Sequence, residues 1–183
     1  MPWLRRWGGV EANCLGRNLF SDMIAEKQAM EVNRLIEALT DFAIGNDKQR
    51  CFPGWTRENV KRFFLFHFHQ KTILFVKVKG KVVGFVTWYR WNKDEIDPEV
   101  PDDEIFGNPP PFREDGDLLY ISDVVTTQPK VMRSMGMELA KRNPDYEKIE
   151  IWGTRKNKKT GVAERVQYTK RLLDFINGGS KNG

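Results

Sequence analysis

Cysteine and histidine are scarce in this chain: two of each among 183 residues, Cys14 and Cys51, His67 and His69. Two cysteines so far apart support neither a disulfide framework nor the ligand spacing of a structural zinc site, so a reducing compartment is expected. Apolar runs are short as well. None approaches the ~20 residues that a membrane-spanning helix needs. Basic residues occur between Met1 and Arg6, but no apolar stretch follows them, so no secretory signal is expected and the location expected is cytoplasmic. Internal repeats are lacking too. The basic C-terminal region has few interleaved aromatics beyond Trp152 and Tyr168, which speaks against a platform for stacking single-stranded bases.

What is present describes one globular domain. Hydrophobic residues make up 40% and charged residues 30% of the chain, enough for a real core and too short a length to argue for two domains. We expect a single domain over 1–176, with an irregular lead over 1–20 and a disordered tail over 177–183. The net charge of +5 hides an asymmetry, because Asp94 to Asp117 holds ten acids against one base, Arg113. The remainder is strongly basic. Such a surface attracts nucleic acid, an acidic carrier protein or a phosphorylated cofactor, or it simply solubilises the domain. The acids fall in a loop, 92–117, that carries five prolines including Pro109-Pro110-Pro111. Loops of that length in a compact domain are usually lids or contact segments, so a protein partner is one expectation for 94–117. The basic turn 155–171, with Arg155, Lys156, Lys158, Lys159, Arg165, Lys170 and Arg171, suits either nucleic-acid phosphates or plain solvation.

Periodicity gives the elements. Apolar residues from Met23 to Phe42 recur at helical spacing over 21–44, with Ser21 or Asp22 as cap and Gly45-Asn46 as stop. A second helix runs from Thr56 to about Phe66. Thr72 to Val78 and Val82 to Trp91 alternate around Lys79-Gly80-Lys81, which reads as a hairpin. Leu118 to Val125 is a mostly apolar strand, Pro129 to Arg142 a helix, and Lys148 to Arg155 and Val162 to Tyr168 two further strands, with a short helix over 169–176. The fold class expected is α/β, with a mixed, mostly antiparallel central sheet and helices on both faces.

The stretch from Leu118 to Arg142 carries the chemistry. A strand, a glycine-containing turn and a helix N-terminus converge unpaired backbone N–H groups and the positive end of a helix dipole on one point, which suits a phosphate. If the helix starts near Arg133, the residues Arg133-Ser134-Met135-Gly136-Met137 form that cradle. If it starts at Pro129, they are helix surface. Asp123 stands in an otherwise apolar strand, where a carboxylate is costly to bury and its pKa tends to rise. It is a candidate base or an orienter of one, unless it faces water or accepts hydrogen bonds from a neighbouring loop. In a strand, His67 and His69 point to one face and allow a proton relay or a two-histidine metal site. No third ligand lies nearby in sequence, no metal is expected, and polar surface at a helix-to-strand junction is the plainer alternative.

The order of helix, helix, hairpin, strand, helix, strand, strand resembles the Gcn5-related N-acyltransferase (GNAT) fold. That family holds acyl-CoA where one strand diverges from its neighbour, with the pyrophosphate on a loop of the form Q/R-x-x-G-x-G/A. Here Arg133 and Gly136 match; the second small position is Met137, or Glu138 with the register moved by one. A nearer resemblance, over about 72–168, is to the RTX-toxin-activating lysine acyltransferases, which are GNAT-like and use acyl carrier protein as donor. It rests on Gly80 to Gly84, on Trp88, on the lengths of the segment from Ile149 to Tyr168, and on Tyr120-Ile121-Ser122-Asp123-Val124-Val125. Asp123 falls on that family's catalytic position. Its partner histidine, in a Ser-x-x-His segment, has no match, since Ser21 is followed by Asp22, Met23 and Ile24. The resemblance implies an acyl-CoA or acyl carrier protein donor and an amine acceptor. Asp123 and His67 are then candidates for proton transfer, and Tyr168 for the general acid that many GNAT enzymes take from a tyrosine. Val125 and Thr126, with Arg133 to Met137, are candidates to hold the donor. The alternative is a GNAT-like module without catalysis that serves a protein assembly or nucleic acid.

Overall fold

The computed structural model describes residues 11–45, 52–96, 109–156, 163–169 and 174. The centre of the acidic loop (97–108), the tip of the basic turn (157–162) and the tail 177–183 lie outside the described residues, as do residues 1–10 with Trp3 and Trp7. Two compact units divide the chain, Met1–Ala38 and Leu39–Gly183.

Helix α1 spans Glu11–Gly45, so residues 11–20 of the expected irregular lead are helical, while 1–10 lie outside the described residues. Glu11, Ala12 and Leu15 are good helix formers, and Ser21 and Asp22 sit inside the helix rather than capping it. Helix α2 covers Arg57–His69, and the Thr56 hydroxyl caps it by accepting from the Asn59 N–H at 3.2 Å. It runs three residues beyond the end read from the sequence. His67 and His69 are therefore helical and, at about 100° per residue, point to opposite sides rather than to one. His67 is buried and His69 exposed.

Five strands follow in spatial order β1 (Ile73–Val78), β2 (Lys81–Trp91), β3 (Leu118–Thr126), β4 (Glu150–Lys156) and β5 (Ala163–Gln167). All neighbours are antiparallel except β3 and β4, which are parallel and joined by helix α3, Pro129–Arg142. That crossover is what a parallel pair requires. The β1–β2 hairpin closes with Val78 opposite Lys81, and both loop residues, Lys79 (φ 50°) and Gly80 (φ 78°), are left-handed. This is the two-residue turn whose twist suits a hairpin, and glycine takes its second position without strain.

Each face of the sheet buries its own layer. On one, Leu74, Val86, Trp88, Leu119 and Ile151 pack with Met135 and Leu139 of α3. On the other, Tyr89, Trp91, Leu118 and Tyr120 form a cluster, and α2 lies over this side with Phe64 edge-on to Phe85 at 5.1 Å and His67 edge-on to Tyr89 at 4.8 Å. The mixed, mostly antiparallel sheet with helices on both faces is the architecture the sequence pattern implied. Arg90, only 2% exposed, ties three segments together. Its Nε donates to the Gly116 carbonyl at 2.5 Å and its guanidinium pairs with Asp145, whose carboxyl is held below the usual range by that contact.

Candidate active site

Two breaks in the sheet fall together on β3. The first is a bulge: Thr87 lies opposite Asp123 and Trp88 opposite Ile121, so Ser122 has no partner on β2. The second is the end of pairing with β4. Residues Leu118 to Ile121 pair with Glu150 to Gly153, after which β3 continues to Thr126 and β4 to Lys156 without further pairs between the two. The two parallel strands thus part at their C-terminal ends, beside the start of α3. Gly153 marks the point of separation, where a Cβ would stand 2.9 Å from the Ile121 carbonyl and 3.2 Å from the Tyr168 ring.

Asp123 sits at this branch point. Ser122 Oγ donates to its Oδ2 at 2.7 Å. The residue is half-buried, yet protein surrounds its carboxyl closely enough that desolvation pushes its pKa up to about 6. The Ser122 hydrogen bond and the nearby Thr87 hydroxyl pull the other way, because both favour the charged form. Thr87 stands close without meeting hydrogen-bond geometry. Burial also pushes the neighbouring Tyr89 hydroxyl far above the usual phenol range, and the charge of Asp123 adds to this.

His67 belongs to the same side of the sheet. It is wholly buried among Phe63, Phe66 and Tyr89, with ring centroids at 4.5, 5.2 and 4.8 Å. Its Nδ1 shares a 2.7 Å hydrogen bond with Thr72 Oγ1, and Nε2 has no partner among the described residues. Desolvation lowers its pKa to about 3, so the ring is neutral at ordinary pH. The histidine and aspartate expected from the sequence therefore share one face, with Tyr89 between them. Tyr168 meets the branch point from the opposite face: its N–H donates to the Ile151 carbonyl at 2.6 Å, and its ring lies beside Gly153 and packs with the α3-side cluster.

The donor residues divide likewise. Helix α3 begins at Pro129, and this decides between the two helix starts that the sequence allowed. Arg133, Ser134, Met135, Gly136 and Met137 are interior to the helix, so their backbone N–H groups serve helical bonds and form no cradle. Met135 is a core residue, only 3% exposed, while Arg133, Ser134 and Met137 face outward. Proline at the first helical position explains the early start, since its fixed φ suits that site and it has no N–H to satisfy. The strand-to-helix turn is instead built by Thr126, whose Oγ1 accepts from the Gln128 N–H at 3.0 Å, and by Thr127, whose N–H donates to the Val83 carbonyl at 3.0 Å. Val125 is buried directly before it. Among the described residues, no three His, Cys, Asp or Glu side chains gather to hold a metal ion, and no helix is long and apolar enough to cross a membrane.

The single parallel pair with its crossover helix and the parting of β3 from β4 fit the mixed, mostly antiparallel sheet expected from the resemblance to the GNAT fold. No family model and no curated protein matches the chain. Among solved structures, GphF, a GNAT-like decarboxylase in complex with isobutyryl-CoA, is similar at 17% identity and a TM-score of 0.45, over 67% of this chain and 63% of that one.

Proposed function

We propose that the chain is an N-acyltransferase in which an acyl thioester extends into the opening between β3 and β4 and Asp123 receives a proton from the attacking amine. One observation carries this reading: the bulge, the end of β3–β4 pairing and a carboxyl of raised pKa coincide at Asp123. The edge of β3 beyond Ile121, unpaired with β4, suits the amide groups of a phosphopantetheine arm, which both acyl-CoA and acyl carrier protein possess. The amine nitrogen attacks the thioester carbonyl, the C–S bond breaks, and the proton lost by nitrogen passes to Asp123 while the thiolate departs. Positioning supplies most of the acceleration, and the base contributes roughly 10²–10⁴-fold. His67, buried and neutral, supports this face of the sheet. The likeness in pattern to toxin-activating lysine acyltransferases makes a lysine amine the first acceptor to try, and a cytoplasmic setting suits such donors.

A second reading, a GNAT-like module without catalysis, is favoured by the placement of Arg133 to Met137 inside α3. In that case the acidic loop 94–117 serves a protein assembly, or the basic turn 155–171 serves nucleic acid. Thermal unfolding with a panel of acyl-CoAs and an acylated carrier protein separates the two. A donor at about 100 times its Kd stabilises the fold by roughly 2.7 kcal/mol. A shift with either donor supports the enzyme, and no shift with any of them favours the module.

A further inference from the structure

The bulge on β3 decides which side of the sheet Asp123 occupies. Ile121 packs with the α3-side cluster, and in an unbroken strand the residue two positions on shares that face. Instead Asp123 stands opposite Thr87, on the α2 side with Phe85 and Tyr89, because Ser122 is inserted between them. Bulges re-aim side chains in this way. The same residue then holds what it has turned, through the 2.7 Å bond from its Oγ to Asp123 Oδ2.

We infer that Ser122 is the positioning residue of the site, placing the Asp123 carboxyl on the α2-facing side and holding one of its oxygens so that the other is left for the substrate amine. The part of this inference that concerns catalysis rests on the acyltransferase reading; the part that concerns the carboxyl does not. The Ser122 hydrogen bond is also the larger of the two contacts, with Thr87, that offset desolvation of the charge. The other groups on this face are Thr87 and Tyr89 from β2 and, behind the Tyr89 ring, His67 from α2; among the described residues no cation pairs with Asp123. Ser122 therefore tunes the pH at which the carboxyl ionises.

The test is a carbon-detected NMR titration of the Asp123 carboxyl, identified by its absence in Asp123→Asn, in the parent protein, Ser122→Ala and Ser122→Thr. Losing the hydroxyl is expected to raise the Asp123 midpoint by about one pH unit, from the worth of a hydrogen bond to a charged group. Threonine is expected to restore it. The acid limb of the kcat/KM profile for acyl transfer moves by the same amount, with KM for the donor unchanged. An Asp123 midpoint that stays in place in folded Ser122→Ala overturns the inference. Should that variant fail to fold, Ser122→Cys, of similar size and a weaker donor, gives the same reading. A moved midpoint with no transfer activity upholds the positioning and sinks the enzyme reading alone.

Discussion

The Asp123 carboxyl and the His67 ring are both desolvated on the same side of the sheet but bind protons with opposite consequences. Asp123 ionises near 6 in the fold against an ordinary 3.8, so the folded state holds its proton more tightly. Its burial costs nothing below about 3.8, and stability declines as the pH rises toward 6. His67 is depressed to about 3 against 6.5, so stability is full above 6.5 and is lost as the pH falls toward 3. Between about 4 and 6 the two slopes oppose each other. Asp123→Asn is therefore expected to raise stability in urea melts at pH 7.5 by up to about 3 kcal/mol, a gain that vanishes near pH 4. His67→Leu is expected to remove an acid-side loss of about 2 kcal/mol between pH 6.5 and 5, exposing the falling slope due to Asp123. A pH-independent effect of either substitution contradicts the burial argument. At this scale the sequence was partly legible. Asp123 stands out as a carboxylate among apolar strand residues. Ser122 does not, because an inserted bulge residue has no composition of its own. His67 was misplaced because four alternating residues fit a strand as well as the last turn of a helix, and only the length of α2 decides.

At the level of elements, the hairpin, the strand before the crossover and helix α3 were all readable, since turn chemistry and a proline at the helix start are local signals. The β3–β4 opening was not, because it depends on where two strands distant in sequence cease to pair. Gly153 tests its geometry. A Cβ there would stand 2.9 Å from the Ile121 carbonyl. Gly153→Ala is expected to destabilise the fold by about 1–3 kcal/mol, the usual cost of overpacking, and to perturb amide NMR signals of residues 121–123 first. A substitution without cost would mean that the strands are already apart at this point. The early start of α3 has a matching consequence. Under the acyltransferase reading Arg133 can meet a donor only by its side chain, so Arg133→Glu is expected to weaken acyl-CoA binding through charge and Gly136→Ala to leave it unchanged. A large loss with Gly136→Ala would restore the backbone cradle at these residues.

Over the whole molecule, a mixed, mostly antiparallel sheet with one parallel pair brings the β3 bulge, the end of β3–β4 pairing and Asp123 to one place. Periodicity made the mixed α/β character legible and composition the uneven distribution of charge; neither carried information about an acyl group, because the pattern that folds the sheet is the same for every donor. The account as a whole stands on Asp123 acting as the base for amide formation in the opening beside it. Its most direct test is the rate of thiol release from acyl-CoA and from acylated carrier protein in the presence of lysine-containing peptides, with the acylated amine identified by mass spectrometry, for the parent protein and Asp123→Asn. The account predicts amide product with the parent and a fall in kcat of roughly 10²–10⁴-fold with the variant, as for loss of a general base. Equal rates for the two proteins, with the product formed, would contradict it.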